Sequence, residues 1–292
     1  MPTIDVLDST LFYEEHGSAS APGPTYVLLH GNPGSSHTWR EVAPALDPGG
    51  ERRIVVPDLI GMGRSGKPDL AYSFADHARY LDAFFDALGL RDVVLVGHDW
   101  GGVLALDRAA RHPDGVAGTA FFETFVKPLS SDELSPQARE RTRMLRTPGA
   151  GEQMIAGDVP LIRTAYSGAV LTPLTGPALD AYLAPYPTVE SRRPLLAWAR
   201  QFPLDGEPAE TVARIEAFGP WLAASPDVPK LLLTFTGSPT LAVTPPVVEW
   251  CAAHIAALTV TPCGAAGHHA TEDRPEEIAA AVREWAGANG LG

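Results

Sequence analysis

The segment Val93-Val94-Leu95-Val96-Gly97-His98-Asp99-Trp100-Gly101-Gly102 constrains the chain more than any other. Its apolar start reads as a strand buried on both faces, and Gly102-Val103-Leu104-Ala105-Leu106-Asp107-Arg108 reads as a helix. Between them, Gly97-x-Asp99-x-Gly101 is a turn so tight that small residues must flank its centre. Such a strand-to-helix turn projects the Asp99 side chain from the strand end, beneath a helix N-terminus whose dipole favours negative charge. An ionised carboxylate there has no proton to lose, so it suits attack on a saturated carbon that carries a leaving group, giving an alkyl ester. The alternative for Asp99 is a helix-capping aspartate.

The rest of the chain supplies the frame for that turn. Tyr26-Val27-Leu28-Leu29-His30, Ile54-Val55-Val56-Pro57-Asp58 and Thr119-Ala120-Phe121-Phe122 are further apolar runs separated by helical text, an alternating α/β pattern with a parallel sheet. Ahead of the turn, Ser73 and Asp76 make a capping-box start, Leu81, Phe84, Phe85 and Leu88 recur at helical spacing, and Gly89 stops the helix. After Glu123 the pattern breaks into helical, Pro-rich sequence that ends near Ser225-Pro226-Asp227-Val228-Pro229, and residues 230–235 resume as a strand. Residues 126–226 are therefore expected to form an inserted helical cap, and residues 1–125 and 227–292 the core. The chain closes with a strand at residues 258–261 and a helix whose Ile278, Val282 and Trp285 share one face. Open sheets of this kind bind ligands at their carboxyl ends, where Asp99 sits.

Composition narrows the partners. The 292 residues carry a net charge of -13, which predicts no nucleic-acid partner and no membrane association. No basic segment followed by an apolar core opens the chain, no apolar run is long enough to span a bilayer, and the cysteines are only Cys251 and Cys263. A cytoplasmic protein, monomeric or weakly homo-oligomeric, is the expectation. Gly61-Met62-Gly63-Arg64-Ser65-Gly66 matches a dinucleotide-binding glycine pattern, but Lys67-Pro68-Asp69 stands where the phosphate-binding helix should begin. No nucleotide cofactor is expected. Nor is a metal, because His268 and His269 are adjacent and the two cysteines lack paired ligand spacing.

An ester on Asp99 needs a base to activate water, and the base needs an acid to hold its tautomer. His268, in the Gly-rich loop Gly264-Ala265-Ala266-Gly267-His268-His269 between the last strand and last helix, fits the first role, with His269 as the competing candidate. Glu123 follows Phe121 and Phe122 at a strand end, where a histidine partner would relieve an otherwise stranded charge. A solvated strand-end acid is the alternative for Glu123, as a surface loop histidine is for His268. Trp100 offers an indole N–H and Asn32, in His30-Gly31-Asn32-Pro33-Gly34, a side-chain NH₂; both suit a departing halide. Each such bond is worth about 1.5 to 3 kcal/mol when it forms to an anion. Their backbone N–H groups suit the oxyanion that forms when water adds to the ester. Core packing for Trp100 and turn formation for Asn32 are the plainer alternatives.

The stretches His30-Gly31-Asn32-Pro33-Gly34-Ser35-Ser36-His37-Thr38-Trp39-Arg40, Asp58-Leu59-Ile60-Gly61-Met62-Gly63-Arg64-Ser65-Gly66-Lys67-Pro68-Asp69 and Gly97-His98-Asp99-Trp100-Gly101-Gly102 together resemble the α/β-hydrolase haloalkane dehalogenases. The similarity runs through nearly the whole chain and is weakest at residues 130–157. It implies an α/β-hydrolase fold: an eight-stranded, mostly parallel sheet flanked by helices, with an inserted helical cap. It also implies an Asp99 nucleophile, a His268 base, and halide contacts from Asn32 and Trp100. Branches of this family place the acid either after the strand that follows the nucleophile helix or after a later one. Here the later position, Thr236-Gly237-Ser238-Pro239-Thr240, has no carboxylate, which leaves Glu123. The resemblance also selects His268 over His269, because the family's base stands five residues before the Asp of a Glu-Asp pair, here Glu272-Asp273.

The expected reaction takes a small haloalkane and water to a primary alcohol, a halide ion and a proton, without a cofactor. Epoxide hydrolases share the His98-Asp99-Trp100-Gly101-Gly102 turn, but they should carry an aromatic residue in place of Asn32, a later carboxylate and a pair of cap tyrosines. Tyr166, Tyr182 and Tyr186 are available for the last role only. Coelenterazine luciferases, cofactor-free monooxygenases, resemble the same branch and are the other rival.

Overall fold

One eight-stranded sheet organises the computed structural model, which describes residues 2–292. The strands are β1 (Thr3–Val6), β2 (Ser9–His16), β3 (Thr25–Leu29), β4 (Ile54–Pro57), β5 (Val93–His98), β6 (Val116–Phe122), β7 (Lys230–Thr236) and β8 (Leu258–Ala265). They lie in the order β1-β2-β4-β3-β5-β6-β7-β8, with β1, β2 and β4 joined antiparallel and every pair from β4 to β8 parallel. Three helices alternate with the first strands: α1 (Val42–Leu46), α2 (Phe74–Leu88) and α3 (Trp100–Arg111). Between β6 and β7 come α4 (Pro136–Arg146), α5 (Ala150–Gln153), α6 (Pro160–Gly168), α7 (Pro177–Leu183), α8 (Arg193–Arg200) and α9 (Ala209–Ala224). After β7 follow α10 (Pro245–His254), then α11 (Ala270–Asp273) and α12 (Pro275–Ala288) beyond β8.

Alternation along the central strands sorts the core onto two faces. Val27, Leu29, Val93, Leu95 and Phe121 pack with Leu81, Phe85, Val103 and Leu106 of α2 and α3. Their neighbours Tyr26, Leu28, Val94, Val96 and Phe122 pack with Val42 and Leu46 of α1 and with Ile278, Val282 and Trp285 of α12. Each such side chain, fully buried, contributes about 1.5 to 3 kcal/mol of transfer free energy. β4 and β5 are accordingly buried at every position and β6 at all but one.

Local signals set the boundaries. At the start of α2 the Ser73 hydroxyl accepts the Asp76 N–H and the Asp76 carboxylate accepts the Ser73 N–H, while Gly89 ends the helix at φ 62°. The glycine-rich stretch 61–66 wraps the buried Asp58 carboxylate. Asp58 accepts N–H bonds from Ser36 (2.5 Å) and Arg64 (2.7 Å), and a side chain at Gly63, where φ is +48°, would overlap its carboxylate. No helix begins until Phe74. β8 runs four residues further than the expected 258–261, through Pro262, because it is the sheet's edge and one side of its ladder needs no donor. Among the described residues no helix is long and apolar enough to cross a membrane, and no group of His, Cys, Asp and Glu has the arrangement of a metal site.

Candidate active site

Asp99 stands alone between β5, which ends at His98, and α3, which starts at Trp100. Its backbone takes φ 52° and ψ −126°, a conformation that costs on the order of 1 to 3 kcal/mol for a residue with a side chain. The surroundings hold it there. A side chain at Gly101 would overlap the Leu29 carbonyl, so only glycine lets α3 approach β3, and the Thr124 hydroxyl donates to the Asp99 carbonyl (2.6 Å). The carboxylate then points to the carboxyl ends of the strands. Its Oδ1 accepts the Asn32 backbone N–H at 2.7 Å, and its Oδ2 lies 3.4 Å from His268 Nε2. Burial pushes the Asp99 carboxyl upward in pKa, but the hydrogen bond and charge of His268, with lesser help from His98 and the Trp100 amide, hold it below the usual aspartate value. The group is ionised at neutral pH.

His268 bridges two acids. Nε2 faces Asp99, while Nδ1 is 3.1 Å from Glu123 Oε2, so Nδ1–H donates to Glu123. Burial lowers the imidazole's pKa, but the two carboxylates outweigh it and raise it to about 10. The loop that carries the ring is fastened on several sides. His98 Nε2–H donates to the His268 carbonyl (2.8 Å), and the His268 N–H donates to Thr240 Oγ1 (3.3 Å). His98 itself is pushed down to about 4 by burial first and His268's charge second, which keeps it neutral and fit for that bond. Asp273 accepts the Gly267 N–H (2.8 Å) and the Leu171 N–H (2.9 and 3.1 Å), joining the His268 loop to the chain after α6.

His269 is turned away from both acids. It is buried, its ring lies against Tyr166 at 4.7 Å and 31°, and its N–H donates to the Ala169 carbonyl (2.9 Å). Burial, and then the charge of His268, depress it well below the usual histidine value. Position 269 is thus filled by a neutral imidazole that packs as a bulky side chain.

Glu123 follows β6 directly, at φ 47°, and is fully buried. Its Oε2 accepts the Ala242 N–H (2.7 Å) as well as His268, and its Oε1 faces the Val243 N–H (3.3 Å). A buried carboxylate is tolerable only with such donors. The segment after β7, where no carboxylate occurs, provides the amides for one instead. Glu123 is therefore not a solvated strand-end acid.

Asn32 and Trp100 flank Asp99. The Asn32 side chain donates one amide hydrogen to the Leu195 carbonyl of α8 (3.1 Å), which fixes its rotamer and leaves the second hydrogen free. Trp100 stacks on Trp198 of α8 at 4.7 Å and 28° and meets Phe125 edge-on at 5.4 Å. It does pack as an aromatic core residue, and that packing fixes its ring. Of the three tyrosines available to an epoxide hydrolase, two are engaged elsewhere: the Tyr182 hydroxyl bonds to Glu272, and Tyr186 accepts the Gly63 N–H (3.2 Å), whereas the buried Tyr166 hydroxyl has no partner and its ring stacks on Tyr182.

In sequence and in fold, the chain that carries this site resembles known proteins. The sequence model of the α/β hydrolase fold matches residues 24–228. A haloalkane dehalogenase of Mesorhizobium japonicum is 43% identical over 97% of this chain and 89% of its own length. The chain belongs to the haloalkane dehalogenase family. A second haloalkane dehalogenase, from Agrobacterium fabrum, is 42% identical over 93% of this chain and 86% of its own. Among solved structures, the haloalkane dehalogenase DatA from Agrobacterium tumefaciens superposes with a TM-score of 0.91 at 39% identity, covering 99% of this chain and 96% of that one. The haloalkane dehalogenase DbeA from Bradyrhizobium elkani gives a TM-score of 0.92 at 40% identity over 99% and 98%. Family membership brings the fold with it: a hydrolase built on the α/β-hydrolase sheet.

Several residues of this dehalogenase-family site carry no sequence signal. The amides of Ala242 and Val243 and the carbonyl of Leu195 act through the backbone, which any residue supplies. His98 sits inside the strand–helix turn, where its neighbour Asp99 dominates the pattern. Asp273 does stand in a recognisable Glu-Asp pair, but its partner Leu171 is remote in sequence.

Proposed function

We propose that the chain hydrolyses haloalkanes to a primary alcohol, halide and a proton through a covalent alkyl ester on Asp99. The observation that carries this is the ionised Asp99 carboxylate, 3.4 Å from a histidine whose other nitrogen is held by Glu123. An Asp99 oxygen attacks the carbon that bears the halogen. The C–O bond forms as the C–X bond breaks, and the halide leaves with the electron pair into the free N–H groups of Asn32 and the Trp100 indole.

Ester formation alters the base. With Asp99 neutralised, His268 loses one of the two charges that raise its pKa, so it gives up its proton and becomes the free base that water needs. Neutral His268 then takes a proton from water as the oxygen adds to the Asp99 carbonyl carbon. The Asn32 amide, already 2.7 Å from Oδ1, and the Trp100 amide stabilise the oxyanion. Collapse breaks the acyl C–O bond, and the alkoxide leaves with the proton of the new carboxylic acid. Asp99 is again a carboxylate beside a protonated His268, and one proton has been released per halide.

The helices α4–α9 serve in this reading as a cap, residues 126–226, over a core of residues 1–125 and 227–292. α8 supports it, because Leu195 orients Asn32 and Trp198 orients Trp100. A cytoplasmic protein, monomeric or weakly self-associating, that takes up only a small haloalkane and water completes the proposal. Stoichiometric bromide, alcohol and acid from 1-bromoalkanes, with none from Asp99→Ala and no diol from a matched epoxide, is the expected result. Diol formation without dehalogenation would replace this function with epoxide hydrolysis.

A further inference from the structure

Two loops meet at Asp99, one at each carboxylate oxygen. The turn after β3 brings the Asn32 N–H to Oδ1 (2.7 Å), and the loop after β8 brings His268 Nε2 to Oδ2 (3.4 Å). The loops come from opposite ends of the chain, and a bidentate ion pair ties them. Arg40 ends the short helical turn Ser36–Trp39 that follows the Asn32 turn, and its two terminal nitrogens donate to the two oxygens of Glu272 on α11 (2.7 Å each). Nη1 also donates to the His37 carbonyl (3.0 Å), which seats the guanidinium on its own turn. The Glu272 N–H donates to the His269 carbonyl (3.0 Å), one residue beyond His268.

The joint is covered from above. The Glu272 side chain is only 2% exposed, and the Tyr182 hydroxyl of α7 donates to the same carboxylate. The Tyr182 ring meets His37 edge-on at 5.0 Å and stacks at 3.9 Å on Tyr166 of α6, which in turn lies 4.7 Å from the His269 ring. Burial pushes the Glu272 carboxyl upward in pKa, but Arg40 and the Tyr182 hydroxyl hold it below the usual glutamate range. A planar guanidinium fork on a carboxylate fixes orientation as well as distance, which a lysine in its place does not. Among the described residues neither Arg40 nor Glu272 is hydrogen-bonded to Asp99, Asn32 or the His268 ring, and neither step of the proposed chemistry passes through them.

We propose that Glu272 is a positioning residue for ester hydrolysis: paired with Arg40, it holds the His268 loop against the Asn32 turn, so that the base and the oxyanion donor address the same ester carbonyl. This deepens the proposed function and rests on it. Halide departure draws on Asp99, on Trp100 stacked against Trp198, and on the Asn32 side chain held by Leu195, none of which Glu272 anchors. Water addition needs His268 and the Asn32 N–H in register at once, and there a misplacement of about 1 Å costs on the order of 100-fold in rate.

The test follows bromide from a 1-bromoalkane, by rapid quench and in the steady state, in the natural protein, Glu272→Gln, Arg40→Lys and the double variant. Glutamine keeps the volume and loses the charge; lysine keeps the charge and loses the fork. Glu272→Gln should slow ester hydrolysis about tenfold or more and Arg40→Lys by less, each leaving the first bromide near its natural rate, so that kcat and KM fall together while kcat/KM holds. The double variant should be little slower than Glu272→Gln, because the two side chains act through one joint. Equal losses in both steps, unchanged rates in both, or losses that simply add in the double variant would overturn the role of Glu272. Should Glu272→Gln fail to fold, Arg40→Lys carries the same comparison of steps by itself. No bromide from the natural protein with any bromoalkane would instead sink the dehalogenase reading beneath the proposal.

Discussion

Replacing Glu123 by glutamine separates the two halves of the proposed reaction. The carboxylate is fully buried and accepts hydrogen bonds from His268 Nδ1 (3.1 Å) and from the Ala242 and Val243 amides (2.7 and 3.3 Å). Glutamine keeps the volume but removes the negative charge, and its NH₂ must face a donor in place of one acceptor oxygen. Nothing in this change touches the Asp99 oxygen that attacks or the Asn32 and Trp100 groups that receive halide. It strikes when His268 must take a proton, because the imidazolium then loses its charged partner. A hydrogen bond to a charged group is worth about 1.5 to 3 kcal/mol, so ester hydrolysis should slow by roughly 10- to 150-fold. Rapid-quench analysis with a bromoalkane should show a burst of up to one halide per enzyme at a near-native rate, then slow turnover as the ester accumulates. Steady-state rates within twofold of the natural protein and no burst would refute the role given to Glu123.

Other perturbations test other parts of the site. The pKa of His268 is raised to about 10 in the free protein, so the ring holds its proton through the neutral range and releases it when alkylation removes the Asp99 charge. At about pH 8 a proton should therefore appear with the first halide and before alcohol; an indicator signal that tracks alcohol instead would reject this sequence of events. Asp273→Ala removes the acceptor shared by Gly267 and Leu171 and should slow ester hydrolysis more than halide release, with a shifted pH profile. Equal losses in both steps would make Asp273 merely structural. Asn32→Ala should cut the rate of halide release by about tenfold or more, and an unchanged burst rate would remove Asn32 from halide binding.

How far the sequence alone reaches follows from what each residue does. Asp99 is legible because its backbone conformation demands glycines at fixed positions around it, and those glycines are visible. Glu123 and His268 are legible as chemistry placed at strand ends, yet choosing His268 over His269 by inspection alone is not possible, since adjacent loop residues differ only in where the loop turns them. The structure turns His269 toward Tyr166 on α6, a contact between segments far apart in the chain. The same is true of Asn32, whose free hydrogen depends on Leu195. Strand ends are the least legible elements of the sheet: Pro262 reads as a stop, yet at an edge it is not one.

Everything above turns on whether Asp99 becomes alkylated. Intact-protein and peptide mass spectrometry of His268→Phe after incubation with an isotopically labelled 1-bromoalkane measures this directly. The account predicts one alkyl group per chain, located on the peptide containing Asp99, with one bromide released and no turnover after it. Bromide release without an adduct, or an adduct on another residue, would contradict it.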